Sequence, residues 1–144
     1  MEENNEEKRI AYLQMIQEPI NRMSTISAIF KGFAATIVAG ISTISYCEIN
    51  LWVLGLSFVP VLAFACLDIY YLTLERKFRF LFDQVRLNNH EIDFSLKLTF
   101  NKLEIENAKA RKRDCLVSPS IWLFYPAMLI ILTTVFFLKY NNII

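Results

Sequence analysis

The chain has 144 residues, enough for one domain at most. With 55% hydrophobic and 14% aromatic residues it is too apolar for an ordinary soluble domain, and a net charge of +1 leaves no electrostatic footprint for direct nucleic-acid binding. Three cysteines far apart in sequence (Cys47, Cys66, Cys115), with no C-x-x-C, and a single histidine (His90) support neither a zinc site nor a disulfide framework, and no Ser-His-Asp or Cys-His set stands out. The sequence therefore predicts a non-enzyme without cofactor or metal.

The charged residues are segregated, and they leave three apolar tracts of membrane-crossing length. Residues 1–22 form an acidic amphipathic segment opening Glu2, Glu3, Glu6, Glu7; lacking a basic lead into an apolar core, it does not read as a cleavable signal peptide. It predicts a short helix ended at Glu18-Pro19, with Ile10, Leu13 and Gln17, or Ile10, Gln14 and Gln17, on one face. Residues 23–46 are the first predicted span. Ala28, Gly32, Thr36 and Gly40 recur every four residues as a small-residue packing stripe. A second stripe is polar: Ser24, Ser27, Lys31, Ala35, Ser42 and Ser45. Such a helix belongs inside a bundle, packing either within one subunit or around an oligomer axis or water-filled path.

Residues 51–74 are the second predicted span, opened by Trp52 and closed by Tyr70 and Tyr71. Asp68 matches Lys31 in depth when both are counted from the link between the two spans. The two can pair, Lys31 can snorkel to the headgroups, or both can line an ion path. The helix should continue past the membrane to Leu87, where Asn88-Asn89 interrupts it, with Glu75 and Arg79 spaced for an i,i+4 ion pair.

Residues 75–118 form the cytoplasmic segment. Ile92, Phe94, Leu96, Leu98 and Phe100 alternate with polar residues, and alternation resumes at Leu103 and Ile105. A β-hairpin turning at Asn101-Lys102 would pair Phe100 with Leu103, Leu98 with Ile105, Thr99 with Glu104 and Lys97 with Glu106. The basic run Lys109, Arg111, Lys112, Arg113 sets topology and touches anionic lipid, or takes an anionic ligand such as a nucleotide. Residues 121–138 are the third predicted span, free of charge and flanked by Trp122, Tyr125 and Tyr140. Ten of the fifteen Lys and Arg residues lie between Glu75 and Ser118, which puts that segment and the N-terminus inside the cell and the C-terminus outside. The predicted fold class is thus all-α transmembrane: three membrane-spanning helices, the second extended into the cytoplasm, plus a small cytoplasmic β-hairpin.

Two stretches resemble a group of small bacterial membrane proteins. One is Ile20-Asn21-Arg22-Met23, Ser27, Lys31-Gly32-Phe33-Ala34 and Thr36-Ile37-Val38-Ala39; the other is Leu67-Asp68-Ile69-Tyr70-Tyr71-Leu72, Glu75-Arg76, Phe78-Arg79, Leu81-Phe82-Asp83 and Val85-Arg86. Ser118 and Phe124-Tyr125 add a third echo. In architecture the chain is similar to the SLATT-like membrane effectors of antiphage defence systems. That resemblance implies a homo-oligomer in the bacterial inner membrane that disrupts or permeabilises it when a nucleotide signal or a cytoplasmic partner protein arrives. Lys31, Asp68, Glu75 and Arg79 are the residues expected to couple membrane to cytoplasm. The alternative is a membrane anchor or scaffold for a soluble partner, and the discriminating observation is ion or dye flux.

Overall fold

The structure is a computed structural model. It describes residues 2–45, 50–87, 91–98, 100–107 and 109–141. Seven helices occur among them: α1 (Glu2–Ile44), α2 (Leu51–Leu56), α3 (Phe58–Arg86), α4 (Lys102–Asn107), α5 (Lys112–Leu116), α6 (Pro119–Trp122) and α7 (Phe124–Tyr140). Three helical stretches, Asn5–Ile44, Leu51–Arg86 and Pro119–Tyr140, are long and apolar enough to cross a membrane. At about 1.5 Å per residue the third is about 33 Å long, close to the roughly 30 Å of a hydrocarbon core. The other two are far longer than a bilayer requires.

The predicted stop at Glu18-Pro19 is overturned, because α1 runs through Pro19 without interruption. Proline removes the bond to the Met15 carbonyl and crowds the preceding turn, a cost of about 3 kcal/mol in a helix interior. Here Tyr12 and Ile16 before it and Ile20 and Met23 after it belong to one buried stripe, whose burial outweighs that cost. The buried face differs from the predicted one: Gln14 and Gln17 are exposed, Ile10 is exposed, and Leu13 is only partly buried.

Prolines also explain the two short breaks in the other long helices. The interruptions at Ser57 and Leu123 each fall three residues before a proline, Pro60 and Pro126. Each ring deprives the last residue of the preceding helix, Leu56 or Trp122, of its i+4 donor. Ser57 nonetheless keeps αR backbone, and its hydroxyl donates to the Leu54 carbonyl at 2.5 Å. Asn50 caps α2, its side chain accepting from the Trp52 N–H.

The predicted β-hairpin is not formed. There is no strand among the described residues, and its second arm is helix α4. The reason is a capping arrangement: the Asn101 N–H donates to the Glu104 carboxylate at 2.7 Å, while the Asn101 carbonyl accepts from the Ile105 N–H at 3.1 Å. The first arm, residues 91–98, has no ladder partner, and Phe94 at φ 52 breaks its extended run. The expected Asn88-Asn89 interruption and the Thr99 pairing lie outside the described residues, as do residues 46–49 of the first link.

The chain divides into two compact units. The first comprises Met1–Ile26 and Tyr70–Cys115. It has a core of Tyr12, Ile16, Ile20 and Met23 from α1 against Phe78, Leu81 and Val85 from α3, joined by the partly buried Ile92, Leu98 and Phe100. The second comprises Ser27–Ile69 and Leu116–Ile144. Its buried residues include Ala34, Val38, Leu54, Val61, Ile121, Tyr125 and Leu132, and Phe64 stacks near Phe30 and Phe33, ring centres 5.9 and 6.1 Å away. Of the 29 acidic and basic residues, all but Lys31, Glu48, Asp68 and Lys139 belong to the first unit.

Candidate functional site

The polar centre of the second unit is built on three helices. On α1, Ser27 and Lys31 are one turn apart, so their side chains share a face. On α3, Asp68 is completely buried. Lys31 Nζ lies 2.7 Å from Asp68 Oδ2 and donates to Ser27 Oγ at 2.7 Å, while the Ser27 hydroxyl donates to Asp68 Oδ1. Asp68 Oδ1 thus accepts a hydrogen bond while Oδ2 meets the ammonium as an ion pair without one, and the three side chains close a triangle. From α7, the buried Tyr125 donates its hydroxyl to the Phe64 carbonyl at 3.3 Å. Burying a lone charge in an apolar setting is costly, and pairing with hydrogen bonds to the remaining atoms is the arrangement that makes it tolerable.

The stripes of α1 separate cleanly. Ser27 and Ser45 are buried, and Lys31, Ala35 and Ser42 are half-buried; Ser24 alone of the polar stripe is exposed. Ala28, Gly32, Thr36 and Gly40 are all exposed, and a Cβ added at Gly32 or Gly40 would meet nothing within 4 Å. Packing within the subunit therefore does not use the small-residue stripe. The hydroxyls do not force α1 into a protein interior either. Thr36 donates to the Gly32 carbonyl, Thr43 to Ala39 and Ser42 to Val38, so each is satisfied by its own helix.

In the first unit, Glu75 is nearly buried and its carboxylate receives Arg79 Nε at 2.8 Å and Nη2 at 2.7 Å. Arg79 itself is largely exposed, which keeps this pair in the few-tenths range of surface i,i+4 contacts. Of the basic run, Lys109, Arg111 and Arg113 are exposed, and the Lys112 side chain is outside the described part. Arg111 is held by Glu106 at 2.6 Å, and the Lys109 carbonyl accepts from Arg76 Nη1 at 2.6 Å. No metal-holding group of His, Cys, Asp and Glu occurs among the described residues.

Sequence reasoning missed Tyr12. Its ring is fully buried, and its hydroxyl lies 2.9 Å from Asp93 Oδ1 and 2.6 Å from the Ser95 carbonyl, with one proton to share between the two acceptors. Burial, with the Asp93 carboxylate adding to it, pushes the Tyr12 hydroxyl up to about 12. Asp93 also accepts from the Ser95 N–H at 2.9 Å, an Asx turn that Asp-x-Ser could have signalled.

No protein-family model, curated protein or solved structure matches this chain.

Proposed function

We propose that the chain is an oligomeric effector of the bacterial inner membrane, which assembles through the outward stripe Ala28–Gly32–Thr36–Gly40 and permeabilises or disrupts the bilayer on a cytoplasmic cue. The supporting observation is that stripe itself: small, exposed, with open space beside both glycines. In lipid, helices associate where small residues let two backbones approach, because apolar burial gives no advantage over lipid tails. A second copy of the same face is the natural occupant. The cue, a nucleotide or a partner protein, would act on the charged first unit on the cytoplasmic side, with Glu75 and Arg79 passing it to Lys31 and Asp68. The antiphage setting follows from the resemblance to SLATT-like effectors.

A second reading, a membrane anchor for a soluble partner, draws on Phe94, Leu96 and Leu103, which are exposed in the otherwise charged unit. Native mass spectrometry of the full chain in lipid nanodiscs, paired with dye release from liposomes, separates the two. The effector reading expects a closed ring of several subunits that Gly32→Leu with Gly40→Leu reduces to monomer, with loss of triggered release. Monomers in both proteins and silent liposomes would leave the anchor.

A further inference from the structure

Lys31 also lines a groove on the second unit that no part of the Lys31–Ser27–Asp68 triangle explains. The groove measures about 400 Å³, and its other polar wall residue is Ser120. The remainder is apolar: Leu123 and Ala127 form one row and Phe124 and Met128 another, each at i,i+4 spacing along α6 and α7. From Ser120 to Met128 the helix climbs about 12 Å, and Pro119, at the same groove, opens the third span. An ammonium has three N–H donors. Ser27 accepts one of those of Lys31, Asp68 Oδ2 faces it at 2.7 Å as counter-ion without a hydrogen bond, and the side chain remains 19% exposed. A third donor is uncommitted among the described residues.

A cation and a hydroxyl at a groove that otherwise offers a hydrocarbon wall match an amphiphile with a phosphate head. We infer that this groove binds one anionic phospholipid, its phosphate taken by Lys31 Nζ and the Ser120 hydroxyl and its acyl chain lying along Leu123, Ala127 and Met128. A free phosphate is the poorer occupant, since the groove is walled by apolar residues including the exposed Leu123, where a water-borne ion would have to shed its hydration. A zwitterionic headgroup carries its own cation beside the phosphate and gains less from a third N–H. The lipid comes from the leaflet in which the third span begins, the one facing the Lys/Arg-rich segment.

The test is native mass spectrometry of the full chain released from nanodiscs of mixed phosphatidylglycerol and phosphatidylcholine, counting retained lipid. The wild type should keep one phosphatidylglycerol per chain. Lys31→Gln should lower that retention about tenfold, the loss of one charge-assisted hydrogen bond. Because Lys31→Gln also strips Asp68 of its counter-ion, Ala127→Phe serves as the second variant: it fills the groove from the exposed face of α7, leaves the triangle intact, and should lower retention to a similar extent. Equal retention of the two lipids, or unchanged retention in either variant, overturns the site. Displacement of the lipid by millimolar inorganic phosphate would reassign it to a free anion.

Discussion

The two units of this chain differ in what they expose and in how much polarity they bury. In the first, Tyr12, Ile16, Ile20, Met23, Phe78, Leu81 and Val85 are buried and nearly all the charge is at the surface. In the second, Ser27, Ser45, Ser57 and Asp68 are buried, while Ile29, Phe33, Trp52, Val53, Leu56, Leu62, Ile130 and Phe137 point outward. Water rewards the first arrangement, because it removes apolar surface from solvent. Hydrocarbon rewards the second, because apolar side chains lose nothing there and polar groups must find partners within the protein. The division between these two kinds of surface falls near residues 26–27, 69–70 and 115–116.

The comparison can be broken most sharply at Asp68. Asp68→Ala leaves the Lys31 ammonium without its counter-ion in the apolar unit and should destabilise the protein in detergent or nanodiscs by about 3 kcal/mol. Unfolding titrations that place Asp68→Ala within a few tenths of wild type would show that the polar interior of the second unit is not what holds it. A paired measurement comes next. Leu81→Ala empties a fully buried site and should cost about 3 kcal/mol, whereas Leu62→Ala, trimming an outward leucine, should cost under about 1. Equal losses in denaturant unfolding would erase the distinction between the two outer faces. The smallest effect is at Tyr12. Tyr12→Phe should cost about 1–2 kcal/mol and raise amide exchange selectively over residues 91–98. The pH dependence follows in sign: the folded state holds the phenol proton more tightly than the unfolded chain, so this contribution is complete below pH 10 and drains away as pH rises from 10 toward about 12. Amide exchange over 91–98 that stays flat across that window would place the Tyr12 hydroxyl in water.

The three membrane-length helices were legible in the sequence because hydropathy over twenty residues is a strong, additive signal, and the structure carries it at Asn5–Ile44, Leu51–Arg86 and Pro119–Tyr140. The failures were local. The alternation from Ile92 to Ile105 satisfies a strand pattern, yet Asn101 and Glu104 stand at capping spacing, and a helix that closes its own hydrogen bonds needs no partner strand. Pro19 looked like a stop because the rule for proline is steric and short-ranged, while the stripe from Tyr12 to Met23 that overrides it is a tertiary property. At the candidate site, Lys31 and Asp68 stood out as the two charges in apolar tracts. Ser27 did not, because a serine one turn from a lysine is commonplace until a carboxylate on another helix gives it something to hold. The outward direction of Gly32 and Gly40 was unreadable for a related reason: a glycine in an apolar helix marks a close approach without saying on which side the neighbour stands.

Residues 91–98 owe their order to others. A helix or a ladder supplies each residue with a backbone bond in return for the roughly 1–2 kcal/mol of entropy lost on fixing it. This segment belongs to neither, and Tyr12, Ile92 and Leu98 are its moorings to the core of the first unit. Anything that loosens that core frees the segment before it melts a helix. A protease working on the folded protein would thus meet its first open peptide bonds between Glu91 and Leu98, and the rate of that cut reads the tightness of the core from outside.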